Sequence, residues 1–152
     1  MPTYVCSVPP NIFSDSQKSQ IAAAIGRRHS EATGAPAFFV QVEIAEKPDK
    51  SRFLGGAPAN GHIWIRGDIR AGRSADVRQQ LMLSIMRDVS AISGLMERDI
   101  WVYLSNLVPT DMVEYGHVLP EPGHENEWFE SLPDDLKTYL KGLGVQQENF
   151  GL

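Results

Sequence analysis

Cysteine is nearly absent: Cys6 is the only one among 152 residues. No internal disulfide can form, and the chain suits a reducing compartment. Long hydrophobic runs are missing too, none approaching the ~20 residues that a membrane span requires. The opening Met1-Pro2-Thr3-Tyr4 carries neither the basic flank nor the apolar stretch of a signal peptide, so a cytoplasmic location and no membrane partner are expected. Positive charge is not in excess. The formal net charge is −5, and nucleic acid is not an expected partner because phosphate binding needs a basic face. His117, His124 and Glu125 lack the spacing of a metal motif such as H-E-x-x-H, and Gly55-Gly56 lacks the Lys and Ser/Thr that follow a phosphate-cradling loop. Neither a metal nor any other cofactor is expected.

What is present is ordinary globular composition, 42% hydrophobic and 22% charged. The length suits a single domain, residues 1–152, able to bury roughly 68–70% of the surface its unfolded chain exposes. Within it one order of elements occurs twice. Thr3 to Ser7 is a β-prone run ended by Pro9 and Pro10. Ser14-Asp15-Ser16-Gln17 has the form of a capping box, followed by Ile21, Ile25 and His29 at helical spacing and by Gly34 as a helix stop. Phe38 to Ile44 then alternates as a second strand. About sixty residues later His62 to Arg66 reads as a strand, Ser74 caps a helix, Gly94 stops it, and Ile100 to Leu104 is the closing strand.

Two strand–helix–strand halves, about 2–44 and 62–104, predict an α+β sandwich of tandem βαβ units. One sheet would carry both helices on one face, over Ile63, Ile65, Ile100, Val102 and Leu104. The other face would show Tyr4, Phe39, Trp64, Trp101 and Tyr103, too much aromatic surface for a monomer. An oligomer that covers this face is inferred. After Leu104 the chain reads as an irregular C-terminal tail punctuated by Gly116, Pro120, Pro122 and Gly123, with a short helix from about Pro133 to Leu143.

Several polar residues are candidates for chemistry, each with an ordinary alternative. Pro2 becomes a secondary amine once Met1 is removed, and its basicity can be moved into the range useful for proton transfer. Met-Pro also begins many proteins without consequence. Arg70 and Arg73 flank a Gly-containing turn ahead of a helix cap, where guanidinium groups could clamp a small carboxylate; they could equally be a solvated loop. His29 lies on an apolar helix face, as packed core histidines do. Tyr103 could be a packing partner of Trp101, and Glu114 could simply be exposed.

The combination is more specific than its parts. Pro2, His29, Arg70 with Gly72-Arg73-Ser74-Ala75-Asp76, Ile100-Trp101-Val102-Tyr103, Met112-Val113-Glu114-Tyr115-Gly116, Pro122-Gly123-His124-Glu125 and Glu127-Trp128-Phe129 stand together. With these blocks the chain resembles the tautomerase superfamily, in particular the group containing cis-3-chloroacrylic acid dehalogenase, from Pro2 to about Phe129. The resemblance implies a homotrimer. It implies Pro2 as proton donor or acceptor, Arg70 and Arg73 with His29 as the holders of a substrate carboxylate, and Tyr103 with Glu114 as the pair that activates water. It further implies a cofactor-independent hydratase or hydrolytic dehalogenase that converts a 3-haloacrylate-like acid to malonate semialdehyde. Enol–keto tautomerisation of a 2-hydroxy unsaturated acid is the alternative, since it needs Pro2 and an arginine but no water-activating pair. A homologue with low dehalogenase activity and another natural substrate also fits the resemblance, and a non-enzymatic interaction protein ranks below all of these.

Overall fold

The computed structural model describes residues 2–149; Met1, whose removal the sequence reading requires, lies outside them. Two strand–helix–strand segments join in one four-stranded sheet. The first comprises β1 (Thr3–Val8), α1 (Asp15–Thr33) and β2 (Gln41–Glu46). After a small hairpin, β3 (Phe53–Leu54) with β4 (Ala57–Pro58), the second comprises β5 (Ile63–Arg70), α2 (Ala75–Ser93) and β6 (Ile100–Leu107). The sheet order is β2-β1-β5-β6, with β1 and β5 antiparallel at the centre and each outer strand parallel to its neighbour.

The helices begin and end where local chemistry dictates. The Ser14 side chain accepts from the Gln17 amide while the Gln17 side chain accepts from the Ser14 amide, closing the capping box. Ser74 caps α2 through the Val77 amide. Both helices stop at a glycine in the left-handed region, Gly34 at φ 73° and Gly94 at φ 77°. Ile21, Ile25 and His29 on α1, and Leu81, Ile85 and Val89 on α2, form buried stripes at four-residue spacing. They close over Cys6, Val8, Ile63, Ile65 and Ile69, with Val102 and Leu104 packed at the margin. Each of the large aliphatic side chains in this layer contributes about 1.5–3 kcal/mol by leaving water.

Two expectations for the outer face are corrected. Tyr4 belongs to the core: β1 turns Tyr4, Cys6 and Val8 inward, and Tyr4 is fully buried. Its ring lies over Gly67, its cross-strand partner, where a Cβ would stand 2.4 Å from the ring, so the missing side chain makes the room. Phe39 is not in a strand at all, because Ala37–Phe39 forms a 3-10 turn and β2 begins at Gln41. The outer face does carry Trp64 and Tyr103, in an edge-to-face pair with centroids 5.8 Å apart, and Trp101 beside His62.

The region after β6 holds more structure than its glycines and prolines suggest. A second hairpin pairs β7 (Val113–Glu114) with β8 (His117–Val118), followed by α3 (Glu125–Ser131) and α4 (Asp134–Asn149). Leu119, Leu132 and Leu140 in this segment are buried. Among the described residues no helix is long and apolar enough to cross a membrane.

Candidate active site

The site is organised by the turn that joins β5 to α2. Arg70 ends the strand, and Gly72 adopts φ 110°, a conformation disfavoured for other residues. A Cβ at Gly72 would also stand 2.8 Å from the Pro122 ring, so the chain after β8 packs directly on the turn. The Ala71 amide donates to the Leu107 carbonyl at 2.7 Å. Two arginines are thereby presented from a fixed backbone.

Each guanidinium is already engaged. Arg70 Nη1 donates to the Pro120 carbonyl at 2.7 Å and Nη2 to Glu125 Oε1 at 2.5 Å. Arg73 Nη2 donates to the Thr33 carbonyl at 3.3 Å, at the C-terminal end of α1, where the helix dipole favours a cation. The Arg70 side chain is only 9% exposed, so its charge acts in a poorly screened environment. Burial works to raise the Glu125 pKa, but the Arg70 hydrogen bond and the backbone donors, among them the Gly123 amide at 2.8 Å, bring it below the usual carboxylate range.

Pro2, His29, Arg70 and Arg73 surround one cavity of about 20 Å³, room for about one water molecule. Thr33, Ala35, Arg70 and Arg73 also line a neighbouring cavity of about 590 Å³. Its apolar wall includes Phe39, Leu119, Trp128 and Phe129. The smaller space adjoins a larger chamber that is walled partly by aromatic rings, and the two arginines border both.

His29 is buried on α1, as its place on an apolar face suggests, and Tyr4 is its partner. The Tyr4 hydroxyl lies 2.9 Å from His29 Nδ1. Burial first, then the positive charges of Arg73 and Arg70, lower the imidazole pKa to about 4, so the ring is neutral at pH 7. In the tautomer in which the Tyr4 hydroxyl donates to Nδ1, the ring's own hydrogen is on Nε2, which would offer a neutral donor to a ligand oxygen.

Glu114 sits on β7 immediately before a tight turn at Tyr115 and Gly116, both at positive φ. That geometry is the one a two-residue hairpin demands. The Tyr115 ring packs between Phe39 and Tyr139, with centroids 6.2 and 6.4 Å away, which fixes the hairpin against the chamber wall. Burial raises the Glu114 carboxyl above its ordinary pKa, while the Arg70 charge pulls the other way. Glu114 is therefore within electrostatic reach of Arg70.

Tyr103 is elsewhere. It is 53% exposed on the outer face, where it lines a depression of about 390 Å³ with Arg52, Trp64 and Trp101. It pairs with Arg66, four residues before Arg70 on β5, which is about 13 Å along a strand. One protomer brings Pro2, His29, Arg70 and Arg73 to one cavity, sets Glu114 within electrostatic reach of Arg70 but in the lining of neither chamber, and leaves Tyr103 outside both.

The sequence places Glu125 in the Pro122-Gly123-His124-Glu125 block and outside any metal motif, and gives it no role of its own. The structure gives it to Arg70 instead, a contact across 55 residues that no local pattern announces. Among the described residues no three His, Cys, Asp or Glu side chains gather as metal ligands. No sequence pattern singles out Arg52 either. It is buried, with Nη1 and Nη2 donating to the Ser7 and His62 carbonyls at 2.9 and 2.6 Å, and it ties the 47–61 loop to the sheet.

Comparison with known proteins agrees with this architecture. Residues 1–131 match the family described as "Putative oxalocrotonate tautomerase enzyme". N1, a member of the cis-3-chloroacrylic acid dehalogenase family, is 33% identical with a TM-score of 0.88, over 92% of this chain and 99% of N1. RhCC from Rhodococcus jostii RHA1 has the same fold at 22% identity and a TM-score of 0.70, over 93% of this chain and 96% of RhCC. A wild-type fused 4-OT asymmetric trimer, F6, shares the fold at 20% identity and a TM-score of 0.72, over 76% of this chain and 94% of its own. No curated protein sequence matches the chain.

Proposed function

Because this chain belongs to the oxalocrotonate tautomerase family of enzymes, we propose that it is a cofactor-independent hydratase or hydrolytic dehalogenase acting on a small 3-haloacrylate-like acid. The observation that carries this reading is the single cavity bounded by Pro2, His29, Arg70 and Arg73. A likeness to a protein of the cis-3-chloroacrylic acid dehalogenase family supports the choice of substrate class.

In this mechanism Met1 is removed, and Pro2 carries a cationic secondary amine; with Met1 attached it would be an amide and could not titrate. The arginine pair and the neutral His29 hold the substrate carboxylate and draw electron density from its third carbon. Glu114 takes a proton from water as the oxygen bonds to that carbon, and the Pro2 ammonium gives a proton to the second carbon. The resulting halohydrin loses hydrogen halide to leave malonate semialdehyde. Positioned acid and base groups of this kind typically contribute ~10²–10⁴-fold each.

Tyr103 assists Glu114 only if a second copy supplies it, so the proposal includes a homotrimer. The face that carries half-buried Trp64 and exposed Tyr103 is the surface such an assembly would cover, and a trimer is what the fused 4-OT relative forms. Enol–keto tautomerisation remains the second reading, favoured by one specific observation: a single protomer collects Pro2 and both arginines without Tyr103.

The test is a proton NMR time course of Met1-free protein with cis-3-chloroacrylate and, separately, the trans isomer. Malonate semialdehyde formed rapidly from the cis isomer alone is the expected result. Failure to hydrate either acid, with ready ketonisation of a 2-hydroxydienoate, would replace this reading with the second.

A further inference from the structure

Glu125 occupies a telling position. Its carboxylate is hydrogen-bonded to Arg70, one of the two cations that line the chamber, and it lines that chamber itself. The contact is firmly built: the Arg70 side chain is 9% exposed, the other end of its guanidinium is held by the Pro120 carbonyl, and the Gly123 amide holds the second oxygen of Glu125. Pro122 packs on Gly72 between these two points. The segment from Pro120 to Glu125 therefore clasps the arginine turn and brings one fixed negative charge with it.

The charge balance of the chamber follows. His29 is neutral. In the mechanism proposed above, the Pro2 ammonium and the Glu114 carboxylate near Arg70 carry opposite charges and offset each other. Arg70 and Arg73 bring two positive charges and Glu125 one negative, leaving a single positive charge for a ligand to neutralise. A second carboxylate on the ligand would enter an apolar-walled space beside Glu125 without a counter-charge, and desolvating it there is costly.

We propose that Glu125 is a specificity-determining residue that, by taking one hydrogen-bonding edge of Arg70, sets the chamber to accept monocarboxylates and to reject dicarboxylates. The inference rests on the carboxylate-binding reading of the site given above and adds what that site excludes. Glu125 also positions Arg70, and the two effects separate by experiment, because a change in geometry weakens both ligand classes whereas a change in charge alters their ratio.

The experiment measures equilibrium binding of propionate and malonate at pH 8 by calorimetric titration, with no turnover involved. Both have three carbons and differ by one carboxylate. In wild type, propionate should bind more tightly than malonate. In Glu125→Gln the ratio of malonate to propionate dissociation constants should fall by on the order of tenfold, the effect of one half-exposed charge at a few ångströms in an effective dielectric of about 20. Glu125→Asp keeps the charge and should keep the wild-type ratio even if both affinities drop. Asn126→Asp adds a carboxylate to the same chamber wall and should raise the ratio, an arm that stands if the Gln variant does not fold. An unchanged ratio in Glu125→Gln or in Asn126→Asp, or an equal fall in Glu125→Asp, overturns the proposal. A wild-type protein that binds neither acid overturns the carboxylate-binding reading itself, and this inference with it.

Discussion

Tyr4 and His29 meet where the sheet touches the first helix, the hydroxyl 2.9 Å from Nδ1 and the rings edge to face at 73°. One comes from β1, two residues from Pro2, and the other from the last turns of α1. The contact therefore couples the position of the amino terminus to the group that would face the ligand. It also explains how a histidine can be both core residue and candidate ligand: its Tyr4-facing edge satisfies the core and its other edge borders the cavity.

Tyr4→Phe keeps the ring over Gly67 and removes the hydroxyl, leaving a buried imidazole nitrogen without its partner. The expected loss is about 1–3 kcal/mol of stability, read as a lower denaturant midpoint. The same histidine makes stability depend on pH. Its folded pKa of about 4 lies below the ordinary 6.5, so the unfolded chain binds the proton more readily. Its contribution is complete above about pH 6.5 and is lost as pH falls toward 4, by roughly 3 kcal/mol for a shift of this size. A His29→Gln variant should show a flatter stability profile between those limits, and an identical slope would mean that other groups dominate.

Most of this frame was legible from residue pattern. Capping residues Ser14 and Ser74, the stops Gly34 and Gly94, and the stripes on both helices report local energetics, so they survive folding unchanged. Tyr4 was misplaced because its inward turn depends on Gly67 sixty-three residues away. The Glu125–Arg70 contact depends in the same way on a long-range approach, and Tyr103 could be matched to a role from sequence but not to a place in one protomer.

Arg73 tests the carboxylate clamp. Its contact to Thr33 is long, at 3.3 Å, so removing it disturbs the fold less than removing Arg70. Arg73→Ala should weaken carboxylate binding by ~1.5–3 kcal/mol, the worth of a hydrogen bond to a charged group, with thermal stability nearly unchanged. Unaltered ligand affinity in a titration would remove Arg73 from the clamp.

The separation of Tyr103 from the chamber predicts complementation between copies. Pro2→Ala and Tyr103→Phe should each be impaired alone. Mixed by co-refolding, they should regain part of the hydratase rate, because some chambers then combine an intact Pro2 from one copy with an intact Tyr103 from another. A mixture no faster than the two variants measured separately would place Tyr103 outside the reaction, or in the same protomer as the Pro2 it serves.

Glu114 separates the two chemistries open to this site. It must be ionised to take a proton from water, and burial holds its pKa above the ordinary carboxylate value, with Arg70 opposing. Hydratase activity should therefore fall as pH drops, beginning at a higher pH than an exposed glutamate would give, because protonation removes the base. Glu114→Gln preserves the shape and removes the base, so hydration should decline by about 10²-fold or more while ketonisation of a 2-hydroxydienoate, which asks only for Pro2 and the arginines, persists. Parallel loss of both activities would assign Glu114 to supporting Pro2 or the hairpin. Retention of both would leave water activation to another group. Only the split outcome ties the half-buried carboxylate on β7 to the water, and it does so without requiring that the natural substrate be a haloacrylate.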